Sequence, residues 1–216
     1  IEMTEAALCL GFEVLILTNA MRPMMRPKIR EALLSLNARY PGQLALRISF
    51  DHYDAKAHEA ERGAGAFDLA LAGVRWLSDN GLCFTIAGRG LAGENEDALR
   101  KGFAAFFAKH DIPLDASDPT QLIIFPEMDM DRDAPEITAA CWRILDRNPE
   151  DMMCATSRML IKRKGAAAPV LTSCTLLPYE AQFEMGASLA EAASPVKLNH
   201  PYCAQFCVLG GASCSN

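Results

Sequence analysis

The 216 residues lack any apolar run approaching the roughly 18 that a membrane helix needs; stretches such as Val14–Leu17 and Leu122–Phe125 stop far short, so no membrane-spanning segment is expected. They also lack a basic excess. Twenty-one Lys and Arg face 27 Asp and Glu, for a net charge of −6, and Lys162-Arg163-Lys164 is the only tight basic cluster, which argues against nucleic acid as a partner. No Gly-rich phosphate loop, dinucleotide fingerprint or Ser-His-Asp set is present, and Gly63-Ala64-Gly65 is too short to serve as one. Disorder and low-complexity or collagen-like folds are excluded as well, because half the residues are apolar and 22% charged, close to the globular average.

What is there begins with a rhythm. Strand-like runs at Glu13–Thr18, Leu44–Phe50, Leu82–Ala87 and Gln121–Phe125 start 31, 38 and 39 residues apart, with helical stretches at Pro27–Arg39, Ala66–Asn80 and Glu94–Lys109 between them. Strands separated by helices are βαβ units, which predicts an α/β fold with a parallel sheet or barrel and helices outside. Chemistry in such folds sits where strands end, here Thr18-Asn19, Ser49–Asp51, Ala87–Arg89 and Pro126–Asp129. The chain opens on Ile1 and reads at once as mid-helix, with Met3, Ala6, Ala7 and Leu10 on one face, the pattern expected when a segment precedes it.

After residue 130 the rhythm changes. Pro135–Asp146 reads as one more helix, with Ile137, Cys141, Ile144 and Leu145 as its apolar face. Ser157–Ile161 and Pro169–Cys174 flank a turn at Lys164-Gly165 and read as a β-hairpin. A short helix near Glu184–Ala193 leads into a tail, Leu198–Asn216, with little periodicity. Two regions follow, 1–148 and 149–216.

Five of the eight cysteines fall in the last 63 residues. A chain of this length needs no disulfide staples, so the cysteines suit a cytoplasmic setting and point to ligation rather than bridging. Cys203, Cys207 and Cys214 have three and six residues between them, with Gly210 and Gly211 allowing a tight fold, and Cys154 and Cys174 bracket the hairpin. These five thiols suffice for a four-iron cluster, which needs four, and equally for zinc held by four thiolates. Cys9, Cys83 and Cys141 sit in apolar helix or strand patterns and are expected to act as small core residues.

Among the polar residues, His58 with Glu59 and Arg62 reads as a solvated turn after a strand. His52 follows Asp51 at a strand end, either as a satisfied structural histidine or as a catalytic one. Glu127, Asp129, Asp131 and Asp133 lack the glycine and final glutamate of a calcium loop and read as a solvated acidic loop.

The order Ile16-Leu17-Thr18-Asn19, then Leu46-Arg47-Ile48-Ser49-Phe50-Asp51, then His58-Glu59-Ala60-Glu61-Arg62-Gly63-Ala64-Gly65-Ala66-Phe67, then Gly73 and a helix into Phe84-Thr85-Ile86, resembles the middle of a radical S-adenosylmethionine (SAM) enzyme. In that family the third barrel strand often ends in Thr-Asn, the fourth reads Arg-x-Ser-x-Asp, and Arg-Gly-x-Gly-x-Phe leads the next helix. The hairpin with a cysteine at each end, followed by clustered cysteines, is similar to the SPASM or twitch type of extension that carries auxiliary iron–sulfur clusters. The family's defining Cys-x-x-x-Cys-x-x-Cys is absent, and the resemblance implies that it lies before Ile1, with the SAM-cleaving four-iron cluster.

The resemblance implies a partial (β/α) barrel over 1–148 and an auxiliary [4Fe–4S] cluster region over 149–216, with Cys154, Cys174, Cys203, Cys207 and Cys214 as candidate ligands. It implies that Asn19 and Ser49 face the SAM ribose or carboxylate, that Ile86 touches the adenine, that Arg89 pairs with a carboxylate, and that backbone at Pro126-Glu127-Met128 edges the adenine. Asp51, His52, Glu127 and Asp129 then face the substrate, to orient it or move protons. The implied reaction is reductive cleavage of SAM, driven by a low-potential one-electron donor, and hydrogen abstraction from a substrate that in relatives of this type is often a peptide or protein. The alternative is a non-enzymatic module whose C-terminal cysteines hold structural zinc.

Overall fold

The computed structural model describes residues 1–91, 93–128 and 133–209. The chain forms two compact units, Ile1–Glu127 and Met128–Asn216.

The first unit is built as the strand and helix periods require. Helix α1 (Glu2–Cys9) leads into β1 (Val14–Thr18), α2 (Pro27–Arg39), β2 (Leu44–Ser49), α3 (Ala55–Arg62), α4 (Ala66–Asp79), β3 (Cys83–Arg89), α5 (Glu96–Lys109) and β4 (Leu122–Phe125). The four strands form one parallel sheet in the order β1-β2-β3-β4, with Val14 beside Leu44, Ala45 beside Cys83 and Ile86 beside Leu122. Leu44, Leu46 and Ile48 of β2, with Phe84 and Ile86 of β3, share one core with Leu33 and Leu36 of α2, Val74 and Leu77 of α4, and Phe103 and Phe107 of α5. The helices therefore pack on the face that carries every second strand residue, as a period of two dictates.

Local chemistry sets the helix ends. Pro27 opens α2, where its missing N–H costs nothing. Asn95 caps α5 by accepting from the N–H groups of Asp97 and Ala98, and Asp54 caps α3 through Ala57. The α3 stretch corrects the reading of His58-Glu59-Arg62 as a solvated turn: it is helical, and His58 is fully buried. In α1, too, the buried residue is Leu8, while Met3 and Leu10 of the expected inner face are exposed.

The second unit contains α6 (Ala139–Ile144), α7 (Met153–Thr156), β5 (Met159–Ile161), β6 (Val170–Thr172) and α8 (Leu189–Ala192), with 3₁₀ turns at Pro149–Asp151 and Ala181–Phe183. β5 and β6 pair antiparallel, Met159 opposite Thr172, which is the expected hairpin, and Gly165 in its connection takes the left-handed φ of +80°. The segment after the second 3₁₀ turn lies against β6, through a bridge from Thr172 to Glu184 and a bond from Met185 N–H to Leu171 O. Helix α6 is shorter than expected and its apolar face is not buried; Ile144 is 73% exposed. The tail is also more ordered than its weak periodicity suggests, because Cys203–Val208 winds into a π-helix. Among the described residues, no helix is long and apolar enough to cross a membrane.

Candidate functional site

Four thiols line one cavity of the second unit. Cys154 comes from the single turn of α7, Cys174 from the residues just after β6, and Cys203 and Cys207 from the π-helix, around a space of about 30 Å³ whose remaining walls include Met153, Leu176, Phe183, Val196 and Leu198. π-Helical turns are rare and recur at functional sites; here one places two sulfurs four residues apart on the same cavity. Arg158 fixes the Cys154 turn by donating to the carbonyls of Cys154, Ser157 and Ala192. None of the seven described cysteines is in a disulfide.

Burial raises the protonation range of Cys154, Cys174 and Cys203, and the mutual repulsion of their charged forms adds to it for Cys154 and Cys203. Backbone hydrogen bonds oppose burial, from Leu176 and Leu177 at Cys174 and from His200 at Cys203, and these favour the thiolate. Thiols held protonated by burial, close enough to repel one another when charged and already supplied with amide donors, form a set that a cation would stabilise. As the side chains stand, no three His, Cys, Asp or Glu groups among the described residues converge to hold a metal ion. Cys214 lies outside the described residues. Cys9 and Cys83 are exposed rather than in the core, and Cys141 is half-buried, its sulfur taken up by Thr138 at the start of α6. Their apolar sequence neighbourhoods misled because Cys9 ends a helix and Cys83 begins a strand, where the solvent is.

The carboxyl end of the parallel sheet carries the other predicted residues. Asp51, just past β2, is buried and gripped by Arg62 of α3 at 2.5 Å and 2.9 Å, one contact to each carboxylate oxygen. Burial pushes the Asp51 carboxyl up, but the hydrogen bonds and charge of Arg62, with Arg89 and His58, outweigh it and hold the group below the ordinary carboxylate range. His52 is buried with both nitrogens engaged: Nδ1 accepts from the Asp54 N–H at 2.9 Å, which leaves the proton on Nε2, 3.1 Å from Glu94. Its ring stacks on Tyr53. Of the two expectations for His52, this placement is that of a satisfied residue.

Asn19 is half-buried beyond β1 and accepts from the Met21 N–H, Ser49 ends β2 half-buried, and Arg89 ends β3 exposed and paired with Glu61 at 2.8 Å. Ile86 is wholly buried in the helix-facing core. Glu127 is exposed, and Asp129 lies outside the described residues. Sequence reasoning missed Glu61 and Glu94, because they meet their partners 28 and 42 residues away and no local spacing announces them. Comparison with protein-family models and with curated proteins gives no match.

Proposed function

We propose that this chain belongs to a radical SAM enzyme and contributes a binding site for an auxiliary iron–sulfur cluster on Cys154, Cys174, Cys203 and Cys207. The observation that supports the reading is that four thiols, from three separate segments, line one apolar-walled cavity. Four cysteine thiolates are the donor set of a [4Fe–4S] cluster. The four described thiols are sufficient without Cys214. To hold the cluster the four thiols would have to lose their protons and the space of about 30 Å³ between them would have to widen, while Met153, Leu176, Phe183, Val196 and Leu198 would limit water at the sulfurs.

The first unit is read as a partial (β/α) barrel. Sequential strand order with the helices on one face is the arrangement of a barrel wall, and it leaves Arg47, Ser49 and Thr85, on the opposite strand face, for the interior. Asn19, Ser49 and Arg89, at the ends of adjacent strands, are the groups that would hold the polar parts of SAM. Bound SAM, reduced by one electron from a low-potential donor at a cluster for which this sequence has no Cys-x-x-x-Cys-x-x-Cys, would supply a hydrogen-abstracting radical. Asp51, held ionised with both oxygens on Arg62, and His52, with both nitrogens engaged, fit orientation of a substrate better than proton transfer; Glu127 is exposed at the same end of the sheet. A peptide or protein is the substrate class this resemblance favours.

Tetrahedral zinc takes the same four thiolates, and zinc in a purely structural module is the rival reading. Anaerobic reconstitution separates them. About four irons and matching sulfide per chain, with brown colour, are expected. A colourless protein holding one zinc, and refusing iron, overturns the proposal.

A further inference from the structure

Helix α3 is held to its unit by one buried side chain and two ion pairs. Of the described residues of α3 only His58 is buried, its ring fully enclosed between Phe50, at a centroid distance of 4.7 Å, and Phe67, at 5.8 Å. Neither ring nitrogen has a hydrogen-bond partner among the described residues. A buried polar atom without a partner is uncommon, and it is tolerable for an imidazole only in the neutral form, since the cation in the same place would lose its hydration with nothing in return. The other attachments are Arg62, one turn along the same helix, on Asp51, and the exposed pair of Glu61 with Arg89 at the end of β3. Beyond Arg62 the chain passes through Gly63 and Gly65 at φ of +92° and +75°, both exposed and with open space around them. Short helix, single buried side chain and glycine pivot together make a flap.

We propose that α3 is an acid-released flap: it stays docked beside the end of β2 while His58 is neutral, and opens when the ring takes up a proton. Opening gives the imidazolium water and frees Arg62 from the Asp51 carboxylate, so proton uptake at His58 changes the charge presented at the sheet's carboxyl end. The groups that face His58 are Asp51 and His52 from the β2–α3 connection and Glu59 and Arg62 from α3 itself. Burial disfavours the charged ring most; Arg62 and His52 add to that, and Asp51 and Glu59 oppose it without reversing it, so the docked ring titrates below its ordinary 6.5.

The sign follows. A base whose protonation range is lowered by docking stabilises the docked state above its ordinary value and loses that contribution as pH falls below it. With a proton bound only in the open form, the open-to-closed ratio of α3 rises roughly thirtyfold between pH 7.5 and pH 5. Asp51, lowered in its own range, adds nothing until the pH falls to the carboxylate range.

Hydrogen exchange on the 216-residue chain, expressed as protection factors, reads this directly. Amides of α3 are expected to lose about thirtyfold in protection from pH 7.5 to pH 5 while those of α4 and α5 hold, and His58→Phe, which suits the Phe50 and Phe67 surroundings, is expected to abolish the loss. Unchanged α3 protection in the wild type, equal loss in His58→Phe, or loss shared by α4 and α5 overturns the proposal. Should His58→Phe not fold, the wild-type His58 ring followed by NMR decides: titration at the ordinary value with α3 still protected also overturns it.

Discussion

Gly73 tests how the sheet's carboxyl end is built. It is buried in α4, and a Cβ there would stand 1.9 Å from the carbonyl oxygen of Ala20, with the Ala20 carbonyl carbon and Cβ both at 2.8 Å. Restoring ordinary contact at 3.4 Å requires a shift of about 1.5 Å between helix and loop. The loop cannot yield cheaply. Ala20 is fully buried at φ +56°, its N–H is held by Thr18 Oγ1, and the next N–H is held by Asn19. Glycine to alanine inside a helix is worth about 0.5–1 kcal/mol in favour of alanine, whereas overpacking a close-packed interior costs about 1–3 kcal/mol and more where backbone must move. Gly73→Ala should therefore destabilise by about 2–4 kcal/mol, lowering Tm by roughly 6–12 °C for a protein of this size. Gly102→Ala supplies the scale: its Cβ would meet the ring edge of Tyr53 at 2.2 Å, and that ring can swing away at a cost of about 0.5–1.5 kcal/mol in aromatic contacts. Urea and thermal unfolding by circular dichroism measure both. If Gly73→Ala is as stable as the wild type, or Gly102→Ala is the worse of the two, then α4 does not press on the β1–α2 loop and the placement of Asn19 falls with it.

Arg62→Leu strips a carboxylate whose side chain is only 9% exposed of its partner, and should cost about 2–4 kcal/mol; Asp51→Asn leaves a guanidinium, 30% exposed, that can turn to water, and should cost about 1–2 kcal/mol. Because Asp51 is held below its ordinary 3.8, the pair stabilises at neutral pH and its contribution fades as pH falls through the carboxylate range, so urea midpoints at pH 7 and pH 3 should converge in Asp51→Asn relative to the wild type; equal losses from the two variants or an unaltered acid slope would count against the pair. For the thiols, alanine at Cys154, Cys174, Cys203 or Cys207 should each abolish stoichiometric iron after reconstitution, whereas alanine at Cys9, Cys83, Cys141 or Cys214 should not. Retention of iron in Cys203→Ala, or its loss in Cys141→Ala, would show that the ligand set is wrongly drawn.

The parallel sheet was legible because its strands are short aliphatic runs punctuated by turns, and its helices begin at residues chemically suited to begin them, Pro27 and Asn95 among them. Helix α3 was not, since a helix that buries one residue has no apolar period to read, and a neutral buried histidine counts as apolar only once its surroundings are known. Crowding of cysteine near the end announced a site but could not select its members. Cys203 and Cys207 face one cavity because the tail coils as a π-helix, and Cys154 reaches it from a turn that Arg158 ties to Ala192. Ion pairs at the strand ends were invisible for a related reason: each joins residues distant in sequence that the fold brings together.

The thiol site and the fold of the second unit are physically inseparable. Cys203 is itself part of a buried cluster with Leu177 and Phe183, and Cys174, Leu176, Val196, Leu198 and Tyr202 pack against it, so two of the candidate ligands are also core residues. Burial that lets a protonated cysteine act as a small hydrophobe also raises its protonation range, and this opposes metal loading by keeping the proton on. The two roles are reconciled at Cys174 and Cys203, where backbone hydrogen bonds stand ready for the thiolate and the deprotonated sulfur need not return to water. A group held by all four thiols would tie α7, the end of β6 and the π-helix together across their cavity, so its binding free energy would appear as folding free energy of this unit. Removing a ligand thiol should accordingly loosen the hairpin unit along with the metal, whereas a cysteine outside the cavity can change without either effect.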